Sequence, residues 1–198
     1  METNEKELTP QESLALIRSM IDKSKDSVAN DSFYFLLWGW LVFVCCISSF
    51  LLLTYFQYPK HYLVWLLMPV GGIISAVYGS RKVKMRRTKT FVDDALKSLW
   101  LSLGLAFVVL VIVNAINHQA NNQLFTYYIL LYAIGTFVSG KMLHFRPLVI
   151  GGLINFALVV VSIYFDSEFQ LLIGGLAILT SYIIPGHLLR IKSQKQNS

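Results

Sequence analysis

Two groups of side chains in this 198-residue chain are of types that could do chemistry. The first is His61, Asn114, Asn117, His118, Asn121, Asn122, Asp166 and Glu168, drawn from three separate connections between apolar runs. Imidazoles and carboxylates can hold a metal ion or trade protons. Their spacing matches no zinc or calcium pattern. Solvated loops are therefore the expected reading, and neither a metal nor another cofactor is expected. The second group, His144, Arg146, His187 and Arg190, could meet an anionic headgroup or phosphate, or could simply complement helix C-termini. The only cysteines, Cys45 and Cys46, are adjacent within an apolar run. Neighbouring residues rarely pair as disulfides, and buried thiols are poor thiolates, so both read as small packing residues. The chain has no Gly-rich phosphate loop, no Gly-x-Ser-x-Gly and no His-Glu-x-x-His. Without a nucleophile and base pair, no catalytic residue is assigned and an enzyme is not expected.

The densest charge is the run Arg81, Lys82, Lys84, Arg86, Arg87 and Lys89. Beside a membrane, each such residue attracts anionic lipid by about 1 kcal/mol. The cluster is the expected site for lipid headgroups and, on a sharper reading, for an acidic cytosolic protein. Because the net charge of +6 sits mostly there, it reads as topogenic and not as nucleic-acid binding.

The elements that carry these residues follow from hydropathy. The chain is 55% hydrophobic and 14% charged, unlike an ordinary soluble domain. Six apolar runs are visible: Phe33–Tyr55, Tyr62–Gly79, Leu96–Val113, Leu124–Gly140, Leu148–Phe165 and Phe169–Ile184. Each reaches or approaches the roughly 17–25 residues that span a bilayer, the last being the shortest. All Lys and Arg except Lys60 fall in the N-tail, the second and fourth loops and the C-tail, or, for Lys97, at the edge of the run that follows the second loop. The positive-inside rule then predicts six helices with both termini cytoplasmic. The expected fold is an all-α membrane protein of three helical hairpins. Residues 1–32 form a cytoplasmic tail, 33–190 the membrane domain and 191–198 a cytoplasmic C-tail. No cleavable signal peptide is expected.

In the tail, Thr9-Pro10-Gln11-Glu12 has the capping-box arrangement. Leu14, Ile17, Met20, Ile21 and Val28 then follow at helical spacing, which predicts an amphipathic interfacial helix. Phe33, Tyr34, Trp38 and Trp40 on one side, and Tyr55, Tyr58, Tyr62 and Trp65 on the other, are expected at headgroup level. Gly71, Ser75 and Gly79 recur every four residues, with Gly72 and Ala76 in a parallel row. Such faces admit close helix approach, so this span is expected at the bundle centre or at a homodimer seam. Gly151-Gly152 and Gly174-Gly175 offer similar patches.

No Asp, Glu, Lys or Arg lies near the middle of a span, which disfavours a proton-coupled antiporter. Asn155 is the clearest polar residue inside one. It is expected to hydrogen-bond across to a neighbouring helix, with a substrate contact as the lesser reading.

Glu12-Ser13-Leu14 with Ile17, Met20 and Ile21, the stretch Phe35 to Val42, and Ile184-Pro185-Gly186-His187-Leu188-Leu189-Arg190 together resemble an uncharacterised family of small multi-pass bacterial membrane proteins. The resemblance carries over no activity, ligand or site residue. It implies the bacterial cytoplasmic membrane and, through an association of such proteins with small DNA-binding regulators, a sensory or regulatory role. The leading expectation is a non-enzymatic multi-pass protein acting in regulation, sensing or assembly through its cytoplasmic face. The alternative is a small transporter of a neutral or amphipathic solute, most simply a homodimer, with helices broken at Pro69 and Pro185. A membrane enzyme acting on lipid through the outer His and carboxylates is a third class.

Overall fold

A computed structural model describes residues 9, 11, 12, 14, 32–85, 91–116 and 123–196. Among these, 90% are helical and none forms a strand. The helices are α1 (Ser32–Thr54), a 3₁₀ turn (His61–Leu66) leading into α2 (Leu67–Met85), α3 (Phe91–Ile116), α4 (Leu124–Met142), α5 (Arg146–Ser162) and α6 (Ser167–Ile178). A π-helical turn (Leu179–Ile183) then joins α6 to α7 (Ile184–Gln196). Four helical stretches are long and apolar enough to cross a membrane: Ser32–Thr54, His61–Arg81, Asp94–Ile116 and Ser167–Ile191. Arg146–Ser162 is apolar but shorter, and Leu124–Met142, which carries three tyrosines and Lys141, is not among the four.

The last stretch is longer than its apolar run suggests. It runs 25 residues because the helix continues through Pro185. Proline lacks the N–H for a normal helical bond and its ring crowds the carbonyl four residues back. The π turn absorbs this, with the Ile184 N–H reaching five residues back to the Leu179 carbonyl. Hydroxyls attend to the carbonyls on its N-terminal side: Ser181 donates to Ala177 O at 2.6 Å and Thr180 to Leu176 O at 3.1 Å. Pro69 sits in the first turn of α2, where no N–H is needed. Neither proline breaks its helix.

Close glycine contacts set the packing. An added Cβ at Gly152 would stand 2.7 Å from Phe137 N, and one at Gly140 2.6 Å from Val149 N, so α4 and α5 run antiparallel almost backbone to backbone. Gly151 meets Ser181 and Gly39 meets Tyr182 and Ile183, which seats the π turn between α5 and α1. In hydrocarbon, apolar side chains gain little by leaving lipid, so such approaches carry the association. The most extensive contacts are α4 with α5 and α1 with α6, both between different expected hairpins. Val42, Cys46, Ile178 and Tyr182 form the core, flanked by Trp100, Tyr132 and Phe35.

The second span is not central. The His61–Arg81 and Asp94–Ile116 stretches are each only 6% buried, against 56% for Ser167–Ile191. The Gly71, Ser75 and Gly79 row packs on α1, against Leu41, Trp38 and Tyr34. Gly72 has no neighbour within 4 Å. Trp38 donates through Nε1 to Ser75 Oγ at 3.0 Å, an interhelical tie between α1 and α2. Trp100 makes the matching tie to Ser139 Oγ at 3.2 Å, joining α3 to α4.

Thr9 and Glu12 form the expected reciprocal cap. The Thr9 N–H and hydroxyl both donate to Glu12 Oε2 at 2.9 Å, and the Glu12 N–H donates to Thr9 Oγ1 at 3.3 Å. The Thr9 backbone bond, then its side-chain bond, hold the Glu12 carboxyl below its ordinary range. Leu14 follows in helix and exposed, while the remaining apolar positions of the expected amphipathic helix lie outside the described residues.

Candidate functional site

The antiparallel contacts bring one set of helix ends together. Gly79 meets Tyr34, Gly186 meets Phe35 and Leu36, Gly151 meets the π turn, and Trp100 bonds Ser139. The start of α1, the end of α2, the start of α3, the α4–α5 turn and α7 therefore share one end. Arg81, Lys97, Lys141, Arg146 and Arg190 are exposed there, with His144 and His187. At the opposite end the only described cation among Lys and Arg is Lys60, before the 3₁₀ turn, and Asp166 and Glu168 stand at the α5–α6 connection. Lys97 lies 3.9 Å from Asp94, a pair open to solvent and weak for that reason.

Of the six cluster residues, Arg81 is exposed on α2, and Lys82 and Lys84 continue the same helix toward its end at Met85. Arg86, Arg87 and Lys89 lie outside the described residues. His144 adopts a left-handed φ of 50° in the turn from α4 to α5, so backbone geometry accounts for its place. Phe145 N–H closes that turn on Gly140 O at 3.0 Å.

Asn155 is fully buried on α5, and neither amide atom has a hydrogen-bond partner among the described residues. The expected cross-helix bond is absent. The register that sets Gly152 on Phe137 and Ser162 on Thr126 puts Asn155 level with Ala133, facing an apolar stretch of α4. The hydroxyls of Thr136 and Tyr182, about one turn toward the basic end, are buried and lack a well-formed hydrogen bond. An unpaired buried amide costs roughly 1–3 kcal/mol, which singles out this mid-depth layer.

A second polar layer, at the opposite end, escaped sequence reading. Gln123 donates to Ile163 O at 3.4 Å and accepts from Thr126 at 3.0 Å and from Gln170 Nε2 at 3.3 Å. Gln170 also donates to Phe165 O at 2.9 Å, and the Thr126 and Ser162 hydroxyls are 2.9 Å apart. These bonds pin the starts of α4 and α6 to the end of α5. The one signal in sequence was that Thr126, Ser162 and Gln170 are polar residues within the first or last turn of mainly apolar helices.

Of the outer group, His61, Asn114, Asp166 and Glu168 are described and Asn117, His118, Asn121 and Asn122 are not. Among the described residues no three His, Cys, Asp or Glu side chains are grouped to hold a metal ion. Cys45 is buried and its thiol donates to Val64 O at 3.6 Å, tying α1 to the 3₁₀ turn.

No family model, curated protein or solved structure matches this chain, so its functional reading rests on its own residues and geometry.

Proposed function

We propose that the chain is a non-enzymatic integral membrane protein of six crossing segments, with both termini on the cytoplasmic side of a bacterial inner membrane. It acts there in regulation, sensing or assembly, through lipid headgroups and an acidic protein partner. The observation that carries this reading is the sorting of charge. The exposed cations Arg81, Lys97, Lys141, Arg146 and Arg190 gather at one end, and the helices between the ends carry no charge in their middle. The α4 and α5 helices, at 19 and 17 residues, extend about 28 and 25 Å at the standard rise. They pack along the longer helices, which supports their crossing as well. The resemblance of the chain's two ends to small multi-pass bacterial proteins points the same way.

Single cysteines test the topology. Asn121→Cys and Ser167→Cys should react with an impermeant thiol reagent from outside, and Thr88→Cys should not; the reverse pattern overturns the orientation. Charge reversal at Arg86 and Arg87 should weaken lipid binding or release a copurifying acidic protein. No change in either, with topology intact, sinks the regulatory reading.

The unpaired Asn155 amide favours a second reading, transport of a neutral, hydrogen-bonding solute through the bundle. A solute that raises the melting temperature of the wild type but not of Asn155→Leu would support it.

A further inference from the structure

An open groove of about 780 Å³ lies along α1 on the side facing α2 and α7. Its floor is apolar, including Leu37, Trp40 and Val44 of α1 and Leu67 of α2. One end is different: Ser32, Tyr78 and Arg190 line it, and Arg190 is the only charged residue among the described lining residues. The packing registers fix the direction. Gly71 meets Leu41 and Gly79 meets Tyr34 on one side, while Gly39 meets Ile183 and Gly186 meets Leu36 on the other. Val44 and Leu67 are therefore level at mid-depth, and Ser32, Tyr78 and Arg190 are level at the basic end.

From Ser32 to Val44 the groove follows α1 for about 18 Å at 1.5 Å per residue. That matches one leaflet, roughly half of a hydrocarbon core about 30 Å thick. A helix crossing the whole bilayer would extend about twice that length. A soluble peptide has no access to a surface whose walls are Trp40, 48% exposed, and Val44, 48% exposed, at span depth. An acyl chain fits the length and polarity, and a phosphate suits the guanidinium at the groove's polar end. We propose that this groove binds one anionic glycerophospholipid of the cytoplasmic leaflet, with its acyl chain along α1 and its phosphate at Arg190. The proposal rests on the membrane orientation argued above, but it names a site separate from the Arg81–Lys89 cluster.

The two fail separately. A basic loop attracts headgroups through a field that salt screens, whereas a chain held in a groove persists. The purified full-length protein would be exchanged into mild detergent with phosphatidylglycerol or phosphatidylcholine at high salt, and retained lipid counted by native mass spectrometry. The wild type should hold one phosphatidylglycerol in about fivefold preference, because a net-anionic headgroup in direct contact with the Arg190 guanidinium is screened less by salt than one attracted through solvent. Arg190→Gln should abolish the preference, and Arg146→Gln, exposed at the same end but outside the groove, should keep it. Val44→Trp, which fills the inner half, should lower retention of both lipids. Wild-type indifference to headgroup, or an unchanged preference in Arg190→Gln, overturns the proposal. So does a Val44→Trp variant that changes oligomeric mass while lipid retention holds, since the groove would then be a contact between copies. Loss of salt-sensitive vesicle binding on Arg86 and Arg87 reversal, with the retained lipid unaltered, would support both sites at once.

Discussion

The sharpest consequence of the packing concerns Gly152. An alanine Cβ there would stand 2.7 Å from Phe137 N, 2.8 Å from its Cα and 2.8 Å from its Cβ. Optimal contact between such heavy atoms is about 3.5–4.0 Å, so α4 and α5 must separate by roughly 0.7 Å. All three atoms belong to the helix or are fixed to it, so no side chain can turn aside. A gap of that size forfeits about a quarter to a half of each dispersion contact along the seam. Overpacking in cores costs about 1–3 kcal/mol. The gain in helix propensity from Gly to Ala returns at most about 1 kcal/mol. Gly152→Ala should therefore lose about 1–2 kcal/mol, or roughly 2–8 °C of melting temperature for a chain of this size. Gly72→Ala and Gly104→Ala serve as controls, since neither Cβ would meet anything within 4 Å. Each should be neutral or stabilising by up to about 1 kcal/mol. The assay is thermal unfolding of the three variants in one detergent, followed by circular dichroism. If Gly152→Ala melts with or above Gly72→Ala, the close α4–α5 seam is refuted.

Other outcomes follow from the same contacts. A double-mutant cycle with Trp38→Phe and Ser75→Ala should give a coupling of about 0.6 kcal/mol, the mean for interhelical hydrogen bonds in a membrane; zero coupling would remove that tie between α1 and α2. Cys45 and Cys46, 0% and 2% exposed, should stay unmodified by maleimide in the folded protein and react once it is unfolded in dodecyl sulfate. Labelling at the rate of an exposed cysteine would contradict the core. Glu12 has a folded-state pKa depressed below the ordinary 4.5. The cap's contribution is therefore fully present above that value and is lost as pH falls through the lower folded one. Titration of its carboxyl by NMR should show a midpoint under 4.5, moving up in Thr9→Ala; a wild-type midpoint at or above 4.5 refutes the cap.

What could be read from the residues was what depends on local composition. Helices follow from apolar runs of bilayer length, the N-terminal cap from the spacing of Thr9 and Glu12, and the basic end from the order of Lys and Arg along the chain. The pairing of helices could not be read, and the reason is physical. A helix apolar on every face carries no periodic mark of which side is buried, so the stripe that orients a soluble helix is missing. The small row on α2 was visible, yet only its partner decides its meaning: Gly71 and Ser75 meet α1, while Gly72 stands open. Pro185 looked like a break and became a π turn because Thr180, Ser181 and the neighbouring helices take up its strain. Asn155 and Arg190 were legible as residues but not as sites. One is left unpaired at mid-depth by the α4–α5 register, and the other closes a groove that exists only where α1, α2 and α7 converge. Composition and charge order determined that this chain is helical, apolar and basic at one end. Close approach between segments far apart in sequence decided everything about which surfaces are buried, because contact geometry and not hydropathy governs association among helices that are all equally at home in lipid.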